Sequence, residues 1–224
     1  MHARGGLSAV SALLIKAVLA YLLGSVVGSL LLGRLRGVDI RRLGSGNAGG
    51  TNALRTQGKR FALGVLAIDI GKGWFATAVL ARSAILPLAS GALDRQWPVA
   101  VCGIAVILGH VYPLWYGRRG GKGVATLIGA VLGAAPLLLV PMLAAWLLTV
   151  VLSGYVGLGS MLGAVVFAVA AALRPHTRGP LLVFAALAAL LVIYTHRANI
   201  ARMRAGTEPR ARRLWLLGLR ARSS

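Results

Sequence analysis

The chain has 224 residues, 58% of them hydrophobic and 13% charged, and a mean hydropathy of +0.79. A water-soluble domain carries roughly a quarter charged residues and about 45 to 50% apolar ones, so the composition excludes a soluble globule and reads as an integral membrane protein. The 25 basic and 4 acidic side chains leave a net charge of +21. They fall in short runs between apolar stretches and do not gather into one contiguous face for nucleic acid, a pattern that fits membrane topology and the binding of anionic head groups or substrates.

A transmembrane helix needs about 20 apolar residues. The first candidate, 7–33, is far longer than the roughly 7 to 15 apolar residues of a signal peptide, and despite Lys16 it reads as a retained span. A polar, glycine-rich stretch follows at 34–60, whose irregular backbone would be unsatisfied in lipid. Further spans are expected at 61–86 and, after a short turn, at 97–116, which leads into the polar run 117–123. The apolar region 124–152 contains Pro136 and Pro141, which favours two shorter helices, 124–138 and 140–152. A small glycine-serine stretch at 153–160 overlaps the start of a helix at 158–173, and a last span at 180–195 precedes the polar segment 196–208 and a basic tail, 209–224. The expected fold is all-α: a polytopic integral membrane protein with seven transmembrane helices in one membrane domain, 1–224.

The loops fix an expected orientation. Segment 34–60 holds seven Lys and Arg residues, 117–123 three and 196–224 eight, against five in the opposite set (Arg4, Arg82, Arg95, Arg174 and Arg178). The positive-inside rule places the three rich segments in the cytoplasm and the N-terminus outside. Seven spans also bring 153–160 and the C-terminus to the cytoplasmic face.

Three polar segments could carry chemistry. In Gly44-Ser45-Gly46-Asn47-Ala48-Gly49-Gly50-Thr51-Asn52, followed by Arg55 and Lys59, glycines let backbone amides turn toward one point beside hydroxyl and amide side chains. Such a loop can cradle a phosphate or be a flexible surface connection; it lacks the P-loop spacing. In Gly109-His110-Val111-Tyr112-Pro113 and Gly120-Gly121-Lys122-Gly123-Val124-Ala125-Thr126, a glycine-flanked lysine at a helix start can meet an anion together with free amides and the helix dipole. Topology control alone would also explain Arg118, Arg119 and Lys122. In Tyr194-Thr195-His196-Arg197-Ala198-Asn199 a continuing helix would put His196 and Asn199 on one face, within reach of a substrate hydroxyl or phosphate. Asp69 and Lys72, three residues apart in a span, fit a buried ion pair, and intramembrane charges carry a functional hypothesis by default. The acids Asp39, Asp69, Asp94 and Glu208 are too scattered to announce a metal site, and the single Cys102 excludes an intramolecular disulfide.

GSGNAGGTNALRTQGK, DIGKG, GHVYPLWYGRRGGKGVAT and YTHRANIARMRAGTE, in this order and spacing, resemble the bacterial acyl-phosphate:glycerol-3-phosphate acyltransferase family, the PlsY type. The resemblance runs from about Gly24 to Glu208. It implies a seven-helix enzyme of the bacterial inner membrane, active on the cytoplasmic face, that transfers a fatty acyl group from acyl phosphate to the 1-hydroxyl of glycerol 3-phosphate. The products are lysophosphatidic acid and orthophosphate, the opening step of phospholipid synthesis. No cofactor or metal is implied, and an upstream acyl-phosphate-forming enzyme is an expected partner. By resemblance, Gly44, Gly46, Asn47, Thr51, Asn52 and Arg55 belong to the substrate-binding surface. His110, Gly120, Gly121, Lys122, Gly123 and Arg197 join them, with Lys122 a ligand of substrate phosphate. His196 and Asn199 face glycerol 3-phosphate, with Ser45 as a third catalytic candidate better suited to hydrogen-bond donation because no base is paired with it. Gly157 stands where the family usually has serine, so Ser160 or Ser153 would supply a nearby hydroxyl; Ala198 and Thr195 replace a usual glutamate and arginine. Proton removal falls to His196 or to a substrate phosphate oxygen. Two other readings account for part of the pattern: an anion transporter, whose polar segments would line a midplane site, and a structural subunit that binds anionic lipid.

Overall fold

The computed structural model describes residues 9–83, 96–175, 179–211 and 214–215. The expected span ends at 7–8 and 84–86, Arg4, Asp94, Arg95, Arg178 and most of the basic tail lie outside the described residues. The chain divides into two compact units, Met1–Ala134 and Ala135–Ser224.

In the first unit the opening span is not one straight helix. Helix α1 (Ala9–Gly24) and helix α2 (Gly28–Leu35) meet at 44° across an elbow at 25–27. The polar segment after them is more regular than its composition suggests. Asp39 caps a 3-10 turn at Ile40–Arg42 by accepting from the Arg41 amide, Ile40 is fully buried, and a two-turn helix α3 (Gly50–Gln57) follows. Helix α4 (Lys59–Trp74) continues as a π-helical stretch, Phe75–Leu80, giving 22 residues that can cross a bilayer. Helix α5 (Trp97–Val111) leads through a 3-10 turn at Leu114–Tyr116 to helix α6 (Val124–Ala134), which at 11 residues is shorter than the expected 124–138.

Small residues let these helices touch backbone to backbone, the usual route to association where lipid gives no hydrophobic drive. α1 packs on α5 and α4 on α6. A methyl group at Gly109 of α5 would fall on the Tyr21 carbonyl oxygen and 2.9 Å from the Ser25 nitrogen. One at Gly129 of α6 would fall on the Ile70 carbonyl oxygen and 2.9 Å from the Trp74 nitrogen. Other large apolar side chains turn outward: Leu14 and Leu63 are more than half exposed, as expected of surfaces solvated by lipid.

The second unit opens with a 3-10 turn at Pro136–Leu138 and helix α7 (Leu139–Ser153), followed by helix α8 (Val156–Leu173) and helix α9 (Gly179–Thr195). A 51° bend separates α9 from helix α10 (Arg197–Arg204). α8 lies against both α7 and α9. Phe167 and Phe184 join it to α9 edge to face, with ring centroids 5.7 Å apart. Among the described residues, four helical stretches are long and apolar enough to cross a membrane, or six if each bent pair counts as one span.

Candidate functional site

In the first unit the glycine-rich segment is organised by one buried side chain. Asn52 Nδ2 donates to the carbonyls of Ile40 (3.2 Å) and Leu43 (2.9 Å), while its Oδ1 accepts from the Ser45 amide (3.0 Å). Both amide hydrogens are therefore spent on the loop, where Asn52 staples the backbone. Gly44, at φ +56°, must be glycine for two reasons: its backbone is left-handed, and a methyl group would collide with Asn52 Oδ1. Ser45, Gly46, Thr51 and Arg55 stay exposed around this staple, with Asn47 half-buried.

The second polar segment lies against the first. The Gly120 amide donates to the Val111 carbonyl (3.1 Å) and the Gly121 amide to the His110 carbonyl (3.2 Å), folding the chain back over the end of α5. A methyl group at Gly121 would meet His110 Nε2 and stand 2.8 Å from the Ala48 carbonyl, so glycine there lets the two polar segments touch. His110 is consequently buried behind the loop backbone. Arg41, which sequence reasoning missed, bolts the segments together. Its Nη1 donates to the carbonyls of Tyr116 (2.9 Å) and Arg119 (3.3 Å), while Nε and Nη2 grip Asp39. The Arg41 guanidinium holds the Asp39 carboxyl down at about 2. Lys122 is half-buried at the entry to α6; Gly123, at φ +83°, turns the chain into that helix, whose first-turn amides have no acceptor within the helix.

Below these segments Lys72 Nζ lies 2.9 Å from Asp69 Oδ1 and 3.0 Å from His110 Nδ1, so the expected ion pair has a histidine as third member.

In the second unit the bend at His196 arranges the third segment. His196 Nδ1 sits 2.7 Å from the Val192 carbonyl, which can only accept; Nδ1 therefore carries a hydrogen, and in the neutral ring Nε2 holds the lone pair, the tautomer a general base requires. Asn199, on the first turn of α10, is buried, and its Nδ2 donates to Glu208 Oε1 (2.6 Å), whose other oxygen accepts from Arg202 Nε (2.7 Å). Because a carboxylate only accepts, the amide orientation is chemically determined. Gly157 adjoins this group: a methyl there would stand 2.9 Å from Asn199 Nδ2. The hydroxyls expected to replace the missing serine are engaged in their own helices, Ser160 donating to the Val156 carbonyl (2.9 Å) and Ser153 to that of Thr149 (2.6 Å). Arg197 is separated from His196 and Asn199, lying exposed with its guanidinium 4.5 Å from the centre of the Tyr194 ring.

The glycerol-3-phosphate acyltransferase family profile matches residues 14–206. A glycerol-3-phosphate acyltransferase of Bordetella pertussis is 41% identical over 198 residues, covering 86% of this chain and 89% of its own length. That of Chlorobaculum parvum is 39% identical over 217 residues, covering 85% and 93%. Among solved structures, PlsY, an integral membrane glycerol 3-phosphate acyltransferase, aligns in its glycerol 3-phosphate form with a TM-score of 0.80 at 33% identity, over 88% of this chain and 94% of that one. Its lysophosphatidic acid form aligns with a TM-score of 0.76. With a profile that spans most of the sequence and relatives matched over nearly their whole length, the chain belongs to the glycerol-3-phosphate acyltransferase family.

Proposed function

We propose that the protein transfers a fatty acyl group from acyl phosphate to the 1-hydroxyl of glycerol 3-phosphate, releasing lysophosphatidic acid and orthophosphate. The acceptor is supported by the family profile and by the activity of the relatives. The donor reading rests on chemistry. Acyl phosphate is a mixed anhydride with a good leaving group, so catalysis needs alignment and charge stabilisation more than a covalent nucleophile. Within the first unit, Lys122, Arg55, Ser45, Asn47, Thr51 and the backbone at Gly44, Gly46, Gly120, Gly121 and Gly123 are assigned to phosphate binding. Within the second, His196 and Asn199 are assigned to glycerol 3-phosphate.

The attacking hydroxyl oxygen bonds to the carbonyl carbon and the bond from that carbon to the phosphate oxygen breaks. The hydroxyl proton passes to His196 Nε2, and orthophosphate leaves. The tautomer set by the Val192 carbonyl is the observation that carries this assignment. The protein is read as a bacterial inner-membrane enzyme with seven spans. These are the four long helices, the bent pair α1 and α2, helix α9 and Val124–Ala134, with the N-terminus outside and the polar segments, α10 included, cytoplasmic. An upstream enzyme forming the acyl phosphate would supply its donor.

Purified protein should acylate glycerol 3-phosphate with palmitoyl phosphate and release orthophosphate, with palmitoyl-coenzyme A a poor donor at best. Lys122→Ala, His196→Ala and Asn199→Ala should each lower transfer by about 10²-fold or more while remaining folded in detergent. Efficient turnover with the thioester and none with acyl phosphate would overturn the donor. Near-native activity in all three variants would overturn the site.

A further inference from the structure

We propose that Asp69, Lys72 and His110 are positioning residues that hold the two polar segments of the first unit in register from beneath, with His110 acting through the loop backbone and not as a substrate ligand. The inference rests on reading those segments as phosphate binders. A buried ion pair needs only two groups; this one has collected the polar atoms of everything around it. Lys72 Nζ lies within hydrogen-bond distance of four groups: Asp69 Oδ1 at 2.9 Å, the carbonyls of Gly24 at 2.9 Å and Val26 at 2.8 Å, and His110 Nδ1 at 3.0 Å, which is itself 3.4 Å from Asp69 Oδ1. The two carbonyls are those freed by the elbow between α1 and α2, and across that elbow the Gly28 amide donates to Asp69 Oδ1 at 3.1 Å. One cluster thus satisfies the broken backbone of the opening span, which nothing in lipid could do.

From His110 the connection runs outward. Its carbonyl accepts from the Gly121 amide, its ring lies where a Gly121 side chain would be, and the Gly121 backbone rests on the Ala48 carbonyl of the first polar segment. That carbonyl in turn accepts from Ser29 Oγ on α2 at 3.0 Å, which returns the circuit to the elbow. Asp69, Lys72 and His110 are all buried, so they can influence a substrate only through the segments they support. Stability alone accounts poorly for the cluster. Replacing a buried ion pair by apolar groups is often neutral or stabilising, and Asp69 Oδ2 and Thr126 Oγ1 are left buried with no hydrogen-bond partner among the described residues. Polar groups kept at such a cost belong where geometry matters more than folding free energy.

The test compares His110→Leu with His110→Asn in the full-length enzyme in detergent. Asparagine carries an acceptor near the place of Nδ1 and can still receive a Lys72 hydrogen, whereas leucine cannot. His110→Leu is expected to raise KM for at least one of the two phosphate-bearing substrates about tenfold or more with kcat changed less than about threefold, and His110→Asn to stay within about threefold in every constant. In a Lys122→Ala background His110→Leu should add little further. If His110→Leu does not fold, Asp69→Asn combined with Lys72→Met removes the charges at nearly constant volume and should raise KM in the same way. Unchanged KM for both substrates in a folded His110→Leu enzyme or in the paired variant, or equal effects of leucine and asparagine, would overturn the inference. An unchanged KM for both substrates in Lys122→Ala itself would instead overturn the phosphate-binding reading.

Discussion

Asn199 shows how a residue legible in the sequence can depend on one that is not. The segment containing His196 and Asn199 places the pair by motif, but the carboxylate that orients the amide comes from Glu208, beyond the end of α10. Local spacing offers no reason to join positions nine apart, because the chain returns through Gly206, in the left-handed region, and the Glu208 amide bonds back to the Arg202 carbonyl. Asn52 is the converse case. Its residue type fits a ligand, but the structure gives its hydrogens to the backbone, and only the path of the loop decides between the two. Glu208→Gln should keep side-chain volume yet replace a pure acceptor by a group that can face Asn199 with either end. Transfer should fall on the order of 10- to 100-fold, the range expected when a reacting group is slightly misplaced. Steady-state kcat, read beside a melting temperature, checks it; an unaltered kcat would mean the amide orients itself.

Among the helices, the contact between α4 and α6 makes the sharpest demand on sequence. Gly129 lies against the α4 backbone at Ile70, while Gly71, the next residue of α4, has nothing within 4 Å of where a methyl would be. Gly129→Ala should therefore destabilise the protein by about 1 to 3 kcal/mol through forced separation of the helices. Gly71→Ala should stay within about 0.5 kcal/mol. Thermal denaturation of the two variants in one detergent provides the comparison, and equal melting points would show that the helices can part at no cost. The apolar periodicity made most helices readable, because long runs bounded by polar residues leave few alternatives. The bends do not register in hydropathy. The elbow after Gly24 is as apolar as its flanks, and what permits it is Lys72, 46 and 48 residues away from the carbonyls it serves. Helix α3 was hidden for the opposite reason: its glycine-rich, polar composition suggests a loop, and burial of Asn52 and Ala53 overrides that preference.

At the scale of the whole molecule the seven-span topology is testable in the cell. In a Cys102→Ala background, single cysteines replacing the exposed residues Ser45, Arg119 and Ala205 should all be labelled from the cytoplasmic face, and one replacing exposed Arg174 from the other. Labelling of positions 119 and 205 from opposite faces would sink the topology. The expected orientation rests on charge distribution alone, since the basic residues of the loops are unevenly shared. The number of spans was less readable. The 11 residues of Val124–Ala134 are too few by length alone, and only their close fit against α4 shows that they form a packed helix.

Lys16 gives the molecule a schedule. Its ammonium is buried and donates to the carbonyls of Ala81 (2.9 Å) and Ser83 (3.0 Å), 65 and 67 residues further along. During synthesis α1 emerges long before those acceptors exist, and a lone lysine at the centre of a membrane helix costs about 2.5 to 3.5 kcal/mol on insertion scales. The first helix thus carries a cost that its own apolar residues must offset at first. The acceptors that relieve it arrive only with the end of the next long span, so a segment made later is expected to complete one made earlier.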